Sequence, residues 1–294
     1  MTAFKIILLS LTIILVAAVA LGLWSHSRDR AQAARVWASL EATRETDPPR
    51  YDLSMVEGLP EIAQRYFAQA IEPGTPLHRL VRLEMEGSFI INGNAMPMEA
   101  RQILAPPARG FVWQAEIGAG LMRFGGSDGY HHVDGQVESW TKFWLRGLIP
   151  LARLGATDDH ARAAAARVML ESVWAPASLL PQFGAEWLQT GPDSAEIRFA
   201  GTPGGQPMHI NFDARGNPRE VWALRWTDAN PEGVHRLQPF GGRMLEIARH
   251  DGFLIPSRVE LGNMWGTQDY APFFRATITS AVFGADEGAS ALQP

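Results

Sequence analysis

The most constraining feature of the sequence is an uninterrupted apolar segment near its start. Residues Ile6–Trp24 contain no charged side chain over their whole length. As an α-helix rising about 1.5 Å per residue, this segment is roughly 28 Å long, which matches the hydrocarbon core of a bilayer. Trp24 lies at its end, where an aromatic ring favours the membrane–water interface. We therefore predict a membrane anchor over residues 1–24.

A cleavable signal peptide is the alternative interpretation of this segment. Lys5 supplies a basic start, and residues 18–20 read Ala-Val-Ala, the small-x-small pattern of a cleavage site. However, that triplet lies inside the apolar run, and the run is longer than the hydrophobic region typical of a signal peptide. We therefore favour a retained, single-pass anchor in the cytoplasmic membrane.

The charges beside the anchor give no support to export of the rest of the chain. Lys5 and the amino terminus precede the apolar run, whereas Arg28, Arg30 and Arg35 follow it. Under the positive-inside rule this distribution does not favour an outside C-terminus. We nevertheless expect the soluble domain on the periplasmic or outer side, partly because of the family resemblance described below.

Composition excludes several classes of protein. The 294 residues include 26 Lys+Arg and 31 Asp+Glu, so the formal charge is −5, which argues against an electrostatic nucleic-acid binder. The absence of cysteine excludes thiolate zinc sites, cysteine nucleophiles and disulfides. We expect no cofactor and no nucleic-acid partner.

Hydrophobic periodicity predicts two helical regions close behind the anchor. Ala31, Ala34, Trp37 and Leu40 fall three or four residues apart, so residues 25–56 are expected to form a helical stalk and linker. Further on, apolar residues recur with the spacing of one buried helical stripe over residues 59–71.

After Pro76 the apolar period changes to two, which indicates β-strands. Residues 81–91 alternate apolar and polar, and Asn92-Gly93 is a turn signal. Similar short segments continue almost to the end, interrupted by one helical segment at residues 158–174.

One-sided alternation with frequent turn signals predicts an antiparallel sheet whose apolar face must be covered. The predicted fold class is α+β: an N-terminal transmembrane helix, then a strongly curved antiparallel sheet, or half-barrel, with two helical segments on its concave side. We assign residues 57–283 to this domain and residues 284–294 to a flexible tail.

The densest polar cluster lies at residues 128–134. If this segment is extended, Asp128, His132 and Asp134 share one face, and a histidine with two carboxylates could hold a divalent metal. Both aspartates precede glycine, however, which is the usual turn pair. A solvated hairpin is the favoured interpretation, and we predict no metal site.

A second polar candidate is Glu171, which lies one helical turn before Trp174. A carboxylate beside an indole is a candidate general acid. No partner acid or base is identifiable, and the sequence lacks the G-x-S-x-G, H-E-x-x-H and Walker motifs. We therefore assign no catalytic residue.

Tryptophan is abundant, with ten copies. Large rings with one polar atom suit both packed cores and apolar pockets, and a core is the default interpretation. Our candidates for ligand binding are Trp113, Trp144, Trp174 and Glu171.

The stretch around Glu171 resembles the signature of an uncharacterised bacterial domain-of-unknown-function family. It reads Glu171-x-x-Trp174-x-Pro176-x-x-Leu179-Leu180-Pro181. Further similar features, from Leu59-Pro60 to Tyr270-x-Pro272-Phe273, extend the resemblance over residues 57–283. Members of that family typically follow membrane helices and have no established activity. Their strand–helix–strand order is similar to LolA-like lipoprotein-carrier half-barrels, in which a curved sheet with a helical lid holds acyl chains.

The resemblance and the apolar sheet face together predict a membrane-anchored envelope protein that binds a lipid or another apolar ligand between sheet and helices. Its first partner is the bilayer, through the N-terminal helix. The alternative is a non-catalytic interaction module for another membrane protein. The third hypothesis is a hydrolase that uses Glu171 or the loop at residues 128–134.

Overall fold

The computed structural model describes residues 2–107, 109–133, 135–199 and 205–284. Its first element is one long helix, α1 (Thr2–Glu41), which joins the predicted anchor to the first part of the predicted stalk without a break. Within the described residues, α1 is the one helix long and apolar enough to cross a membrane.

Behind α1 lies an antiparallel sheet of thirteen strands, counted over the described residues. The strands are β1 (Val81–Ile91), β2 (Asn94–Ala105), β3 (Gly110–Ile117), β4 (Phe124–Val133), β5 (Gln136–Leu145), β6 (Ile149–Gly155), β7 (Ala185–Gly191), β8 (Ser194–Phe199), β9 (Met208–Phe212), β10 (Pro218–Thr227), β11 (Arg236–His250), β12 (Phe253–Asn263) and β13 (Ala271–Val282). Their order is β6-β5-β4-β3-β2-β1-β13-β12-β11-β10-β9-β8-β7. Strands that follow each other in sequence are neighbours in the sheet, except β6 and β7, which form its two opposite edges. The two halves are joined where β1 pairs with β13.

Two helices cover the concave side: α2 (Glu61–Ala70) and α3 (Asp158–Leu170). Helix α3 contacts β3 to β6 near one edge of the sheet and also β10, far along the strand order. One helix can reach all of these strands only because the sheet curves around it. The predicted α+β half-barrel is therefore confirmed. Helix α3 ends earlier than the predicted residue 174, since Pro176 and Pro181 favour the short 3-10 turns that follow it.

The sheet is buried on both faces near its centre. Leu104 points to the concave side with the main core, whereas Ile103 and Ala105 point to the convex side. On that convex side Val36 and Leu40 of α1 pack against them. Burial on both faces explains why β2 and β3 contain continuous apolar runs rather than strict alternation.

The part of α1 beyond the apolar segment is thus docked on the sheet. Its buried face is Asp29, Ala33, Val36 and Leu40, one residue away from the stripe predicted from the sequence, which shares only Leu40. Polar contacts help to set this rotation: Asp29 accepts from Lys142, Trp144 and Arg153, and Arg35 pairs with Glu138 at 2.8 Å.

Candidate ligand-binding cavity

A cavity of about 580 Å³ lies between the concave face of the sheet and α3. This volume falls in the range of small-molecule sites, and the walls are mostly apolar. Among the described residues, eight aromatic side chains line the wall: Phe89, Trp113, Phe124, Phe143, Trp174, Phe240, Phe273 and Phe274.

A row of facing residues gives the cavity a polar end. Four directly paired residues form this row across neighbouring strands β2 to β5: Gln102, Trp113, Asp128 and Thr141, in that order. Residues directly opposite each other in a sheet point to the same face. The register therefore sets two polar side chains, Asp128 and Thr141, into the cavity wall beside an indole.

Helix α3 completes this polar end with a buried ion-pair cluster. Arg167 donates to Asp128 Oδ2 and to Glu171 Oε1, each at 2.6 Å, and its guanidinium lies 4.3 Å from the ring centre of Phe111. Gln102 donates to the other Glu171 oxygen at 2.5 Å. Burial alone would lower the pKa of Arg167, because it disfavours the charged guanidinium. The Glu171 and Asp128 carboxylates outweigh this effect, so the pKa of Arg167 is raised.

A second arginine reaches the same cavity from β10. Arg225 donates from Nε to the Ala163 carbonyl at 3.3 Å, and its guanidinium lies 4.9 Å from the Phe240 ring centre. No carboxylate among the described residues lies within 4.0 Å of its nitrogens. Burial lowers the pKa of Arg225, and the Asp128 carboxylate offsets this only in part.

A hydrogen-bond chain extends from Asp128 to the start of α3. Thr141 donates to Asp128 Oδ1 at 2.9 Å, so its hydroxyl accepts from His160 Nε2 at 3.0 Å. The His160 Nδ1 then accepts from Ser139 at 2.9 Å. Burial, the largest effect, lowers the pKa of His160. The lowered pKa favours the neutral imidazole, which lies behind the cavity wall and is bonded to Thr141 and Ser139.

One end of the cavity is bounded by the β3–β4 connection and by the β5–β6 hairpin, and the latter contacts α1. Met122 and Leu151 line the cavity, while their neighbours Leu121 and Ile149 are 84% and 57% exposed. The β5–β6 hairpin packs closely on Gly22 of α1. A Cβ atom added to Gly22 would lie only 3.0 Å from the carbonyl oxygen of Leu148. This end, the mouth of the cavity (Leu121, Met122, Leu148, Ile149 and Leu151), therefore contacts α1 inside the apolar segment.

The sequence of this domain matches one protein-family model over residues 49–276, from ahead of α2 into β13. The chain belongs to the DUF6544 family. The description of DUF6544 is a family of unknown function. The match confirms the resemblance seen in the Glu171–Pro181 signature. No curated protein matches the chain in sequence.

The DUF6544 chain is also similar to solved structures. A DUF1329 family protein from Desulfovibrio piger is 10% identical, with a TM-score of 0.43, over 79% of this chain and 97% of that one. A domain described as outer membrane lipoprotein-sorting, from Vibrio parahaemolyticus, is 11% identical, with a TM-score of 0.39, over 77% and 92%. A LolA superfamily protein from Nitrosomonas europaea is 10% identical, with a TM-score of 0.37, over 79% and 96%.

Three of the four predicted ligand-binding residues meet at this cavity of the DUF6544 domain. Trp113, Trp174 and Glu171 all line it. Trp144 does not: it donates to Asp29 at 3.0 Å on the convex side, and its ring lies 5.5 Å from His26. The reason is strand alternation, because Thr141, Phe143 and Leu145 are the residues of β5 that face the cavity, and Trp144 lies between two of them.

The metal candidates are not brought together as a site. Asp128 is bound to Arg167 and Thr141. His132 is half-buried and does not line the cavity, and Asp134 lies outside the described residues. In the part of the chain that the structure describes, no three metal-ligating side chains cluster.

Two arginines of the site were missed by sequence reasoning. Arg167 lies four residues before Glu171, the spacing of a helical ion pair, so that signal was present. Arg225 follows Val221 and Ala223 at a period of two, which sets it on the same buried face of β10. A charged residue on an otherwise apolar strand face was therefore a detectable signal.

Proposed function

We propose that this DUF6544 protein is a single-pass, membrane-anchored envelope protein that binds a lipid or another apolar molecule in its cavity. The observation that carries the proposal is the cavity itself. Protein interiors are close-packed and seldom leave voids much larger than a water molecule. An apolar space of about 580 Å³ bounded by aromatic rings is therefore best explained by an apolar occupant.

The position of the mouth supports the bilayer as the source of that occupant. Leu148 lies against Gly22, within the apolar segment of α1. If α1 spans the membrane, the mouth lies at the membrane surface, and an apolar molecule can pass from the bilayer into the cavity without crossing water. Exposed side chains such as Leu121 and Ile149 suit that location.

The two alternative functions have less support. A hydrolase using Glu171 would need a free carboxyl group, yet both of its oxygens are hydrogen-bonded, to Arg167 and to Gln102. An interaction module without a ligand is expected to have a filled interior, and this domain has an open one.

Native mass spectrometry of the full chain, released from a mild detergent, tests the proposal. We expect a co-purifying lipid and saturable binding of a fluorescent fatty-acid probe. Ala152→Trp places an indole in the cavity wall and is expected to abolish both, whereas Ala95→Trp, at an exposed position on β2, is the matched control. If the wild-type chain carries no lipid and binds no probe, the proposal is wrong.

The side of the membrane is a separate part of the proposal. We place the domain on the periplasmic or outer side. A C-terminal reporter that is active only outside the cytoplasm tests this assignment, and an inactive reporter at normal expression would contradict it.

A further inference from the structure

Each carboxylate oxygen at the polar end of the cavity accepts a hydrogen bond from a protein side chain. Asp128 accepts from Arg167 and Thr141, one bond at each oxygen. Glu171 accepts from Arg167 and Gln102, again one at each oxygen. All four carboxylate oxygens therefore have a partner, and none of these partners is Arg225.

Arg225 consequently lines the cavity as a cation without an anion. Its Nε donates a hydrogen bond to the Ala163 carbonyl oxygen. Among the described residues, no carboxylate lies within 4.0 Å of its two terminal amino groups. A guanidinium cannot be neutralised by losing its proton, so partial burial of this charge is unfavourable unless an acceptor arrives. A carboxylate fits its planar fork with two parallel hydrogen bonds.

A second donor in the same wall has no acceptor either. Trp113 lines the cavity, and its buried indole N–H has no hydrogen-bond partner among the described residues. Buried donors are nearly always paired in folded proteins. An acid group in the cavity would supply acceptor oxygens that the protein itself does not.

The distance from the polar end to the mouth fits a chain attached to that acid group. Asp128 at the polar end and Phe124 near the mouth are four residues apart on β4, which is about 13 Å at 3.3 Å per residue. The wall between them is mostly apolar, with Phe143 and Phe274 among its rings.

We propose that Arg225 binds the carboxylate of a single-chain, fatty-acid-type amphiphile, with its acid group at the polar end and its chain toward the mouth. This inference rests on the proposed function and adds the ligand class. A cavity of about 580 Å³ suits one such chain rather than a whole two-chain phospholipid.

The test compares two ligands that differ only in the head group. Tetradecanoic acid and tetradecanol are titrated separately into the full chain in a non-ionic detergent at pH 8. Binding is followed by the rise in Tm, since a ligand that binds only the folded state stabilises it, and by native mass spectrometry. We expect the acid to bind roughly ten- to a hundredfold more tightly than the alcohol, the size of a charge-assisted pair.

Variants assign that preference to one residue. Arg225→Gln is expected to bind acid and alcohol equally, and Arg225→Lys to retain part of the preference. Arg243→Gln, on the exposed side of neighbouring β11, is the matched control and keeps the wild-type ratio. The wild-type ratio alone tests the proposal if Arg225→Gln does not fold.

The outcomes separate the two proposals. Equal binding of acid and alcohol by the wild-type chain overturns the role of Arg225 and leaves the apolar cavity function intact. An acid preference that survives in Arg225→Gln overturns it as well. Binding of neither ligand overturns the proposed function and this inference together.

Discussion

Replacement of Arg167 by methionine is expected to destabilise the full chain by about 3–5 kcal/mol, because it removes the shared partner of two carboxylates, the buried Glu171 and the half-buried Asp128. The Arg167 side chain is only 17% exposed and makes 2.6 Å bonds to both Asp128 and Glu171. Methionine fills much of the same volume, so the loss reports the uncompensated charges rather than a cavity.

Urea unfolding of the full chain in a non-ionic detergent, followed by tryptophan fluorescence, measures this loss. The control is Arg198→Met: that arginine is 53% exposed and pairs with Glu196 at 3.1 Å, so about 0–1 kcal/mol is expected. Adding Asp128→Asn and Glu171→Gln to Arg167→Met removes both orphaned charges and should recover about half of the loss or more. A loss below about 1 kcal/mol, or no recovery in the triple variant, would refute the reasoning.

Three further predictions concern the mouth, the histidine chain and the docking of α1. The chain has no cysteine, so a fluorophore can be attached at one introduced position, Ile149→Cys, and we expect spin-labelled lipids in nanodiscs to quench it. The control is a fluorophore at Leu188→Cys, a 56% exposed position on β7, which should not be quenched. Equal quenching at both positions contradicts a mouth that faces the membrane. Burial lowers the pKa of His160 below its usual 6.5, so its contribution to stability is full above about pH 6.5 and is lost as the pH falls through the folded pKa. His160→Gln should therefore flatten the fall in urea stability between pH 7 and 5; an unchanged slope contradicts this. Leu40→Ala should cost about 2–5 kcal/mol in the same assay, because the side chain is fully buried, and a negligible loss would mean that α1 is not docked.

The sheet and its covering helices could be predicted because they leave periodic signals. The stripe over residues 59–71 corresponds to α2, whose buried residues include Ile62, Tyr66 and Phe67. Alternation over residues 81–91 and the Asn92-Gly93 turn correspond to the β1–β2 hairpin. These signals are local, so sequence alone carries them.

The docking of α1 could not be predicted in the same way. The sequence stripe of Ala31, Ala34, Trp37 and Leu40 competes with a face one residue away that combines Ala33, Val36 and Leu40 with the charged Asp29. The observed rotation is chosen by long-range partners, among them the Asp29 contacts to β5 and β6. No spacing within α1 encodes those partners.

The candidate site was predicted in part for related reasons. Glu171 and Trp174 were found through their signature, but Trp144 was assigned to the cavity although it lies on the convex face. Because β5 is buried on both faces, with Trp140 on one side and Phe143 on the other, tryptophan alone does not reveal which side holds the cavity. Arg225 joins the site only through the curvature that brings β10 to α3.

The continuity of α1 has a mechanical consequence. In a bilayer, a helix whose apolar length exceeds the local hydrocarbon thickness leans over, and a thicker bilayer lets it stand upright. The same continuous helix packs against the sheet through Val36 and Leu40. If α1 spans a bilayer, as proposed, the tilt of the whole domain relative to the lipid surface is therefore coupled to membrane thickness.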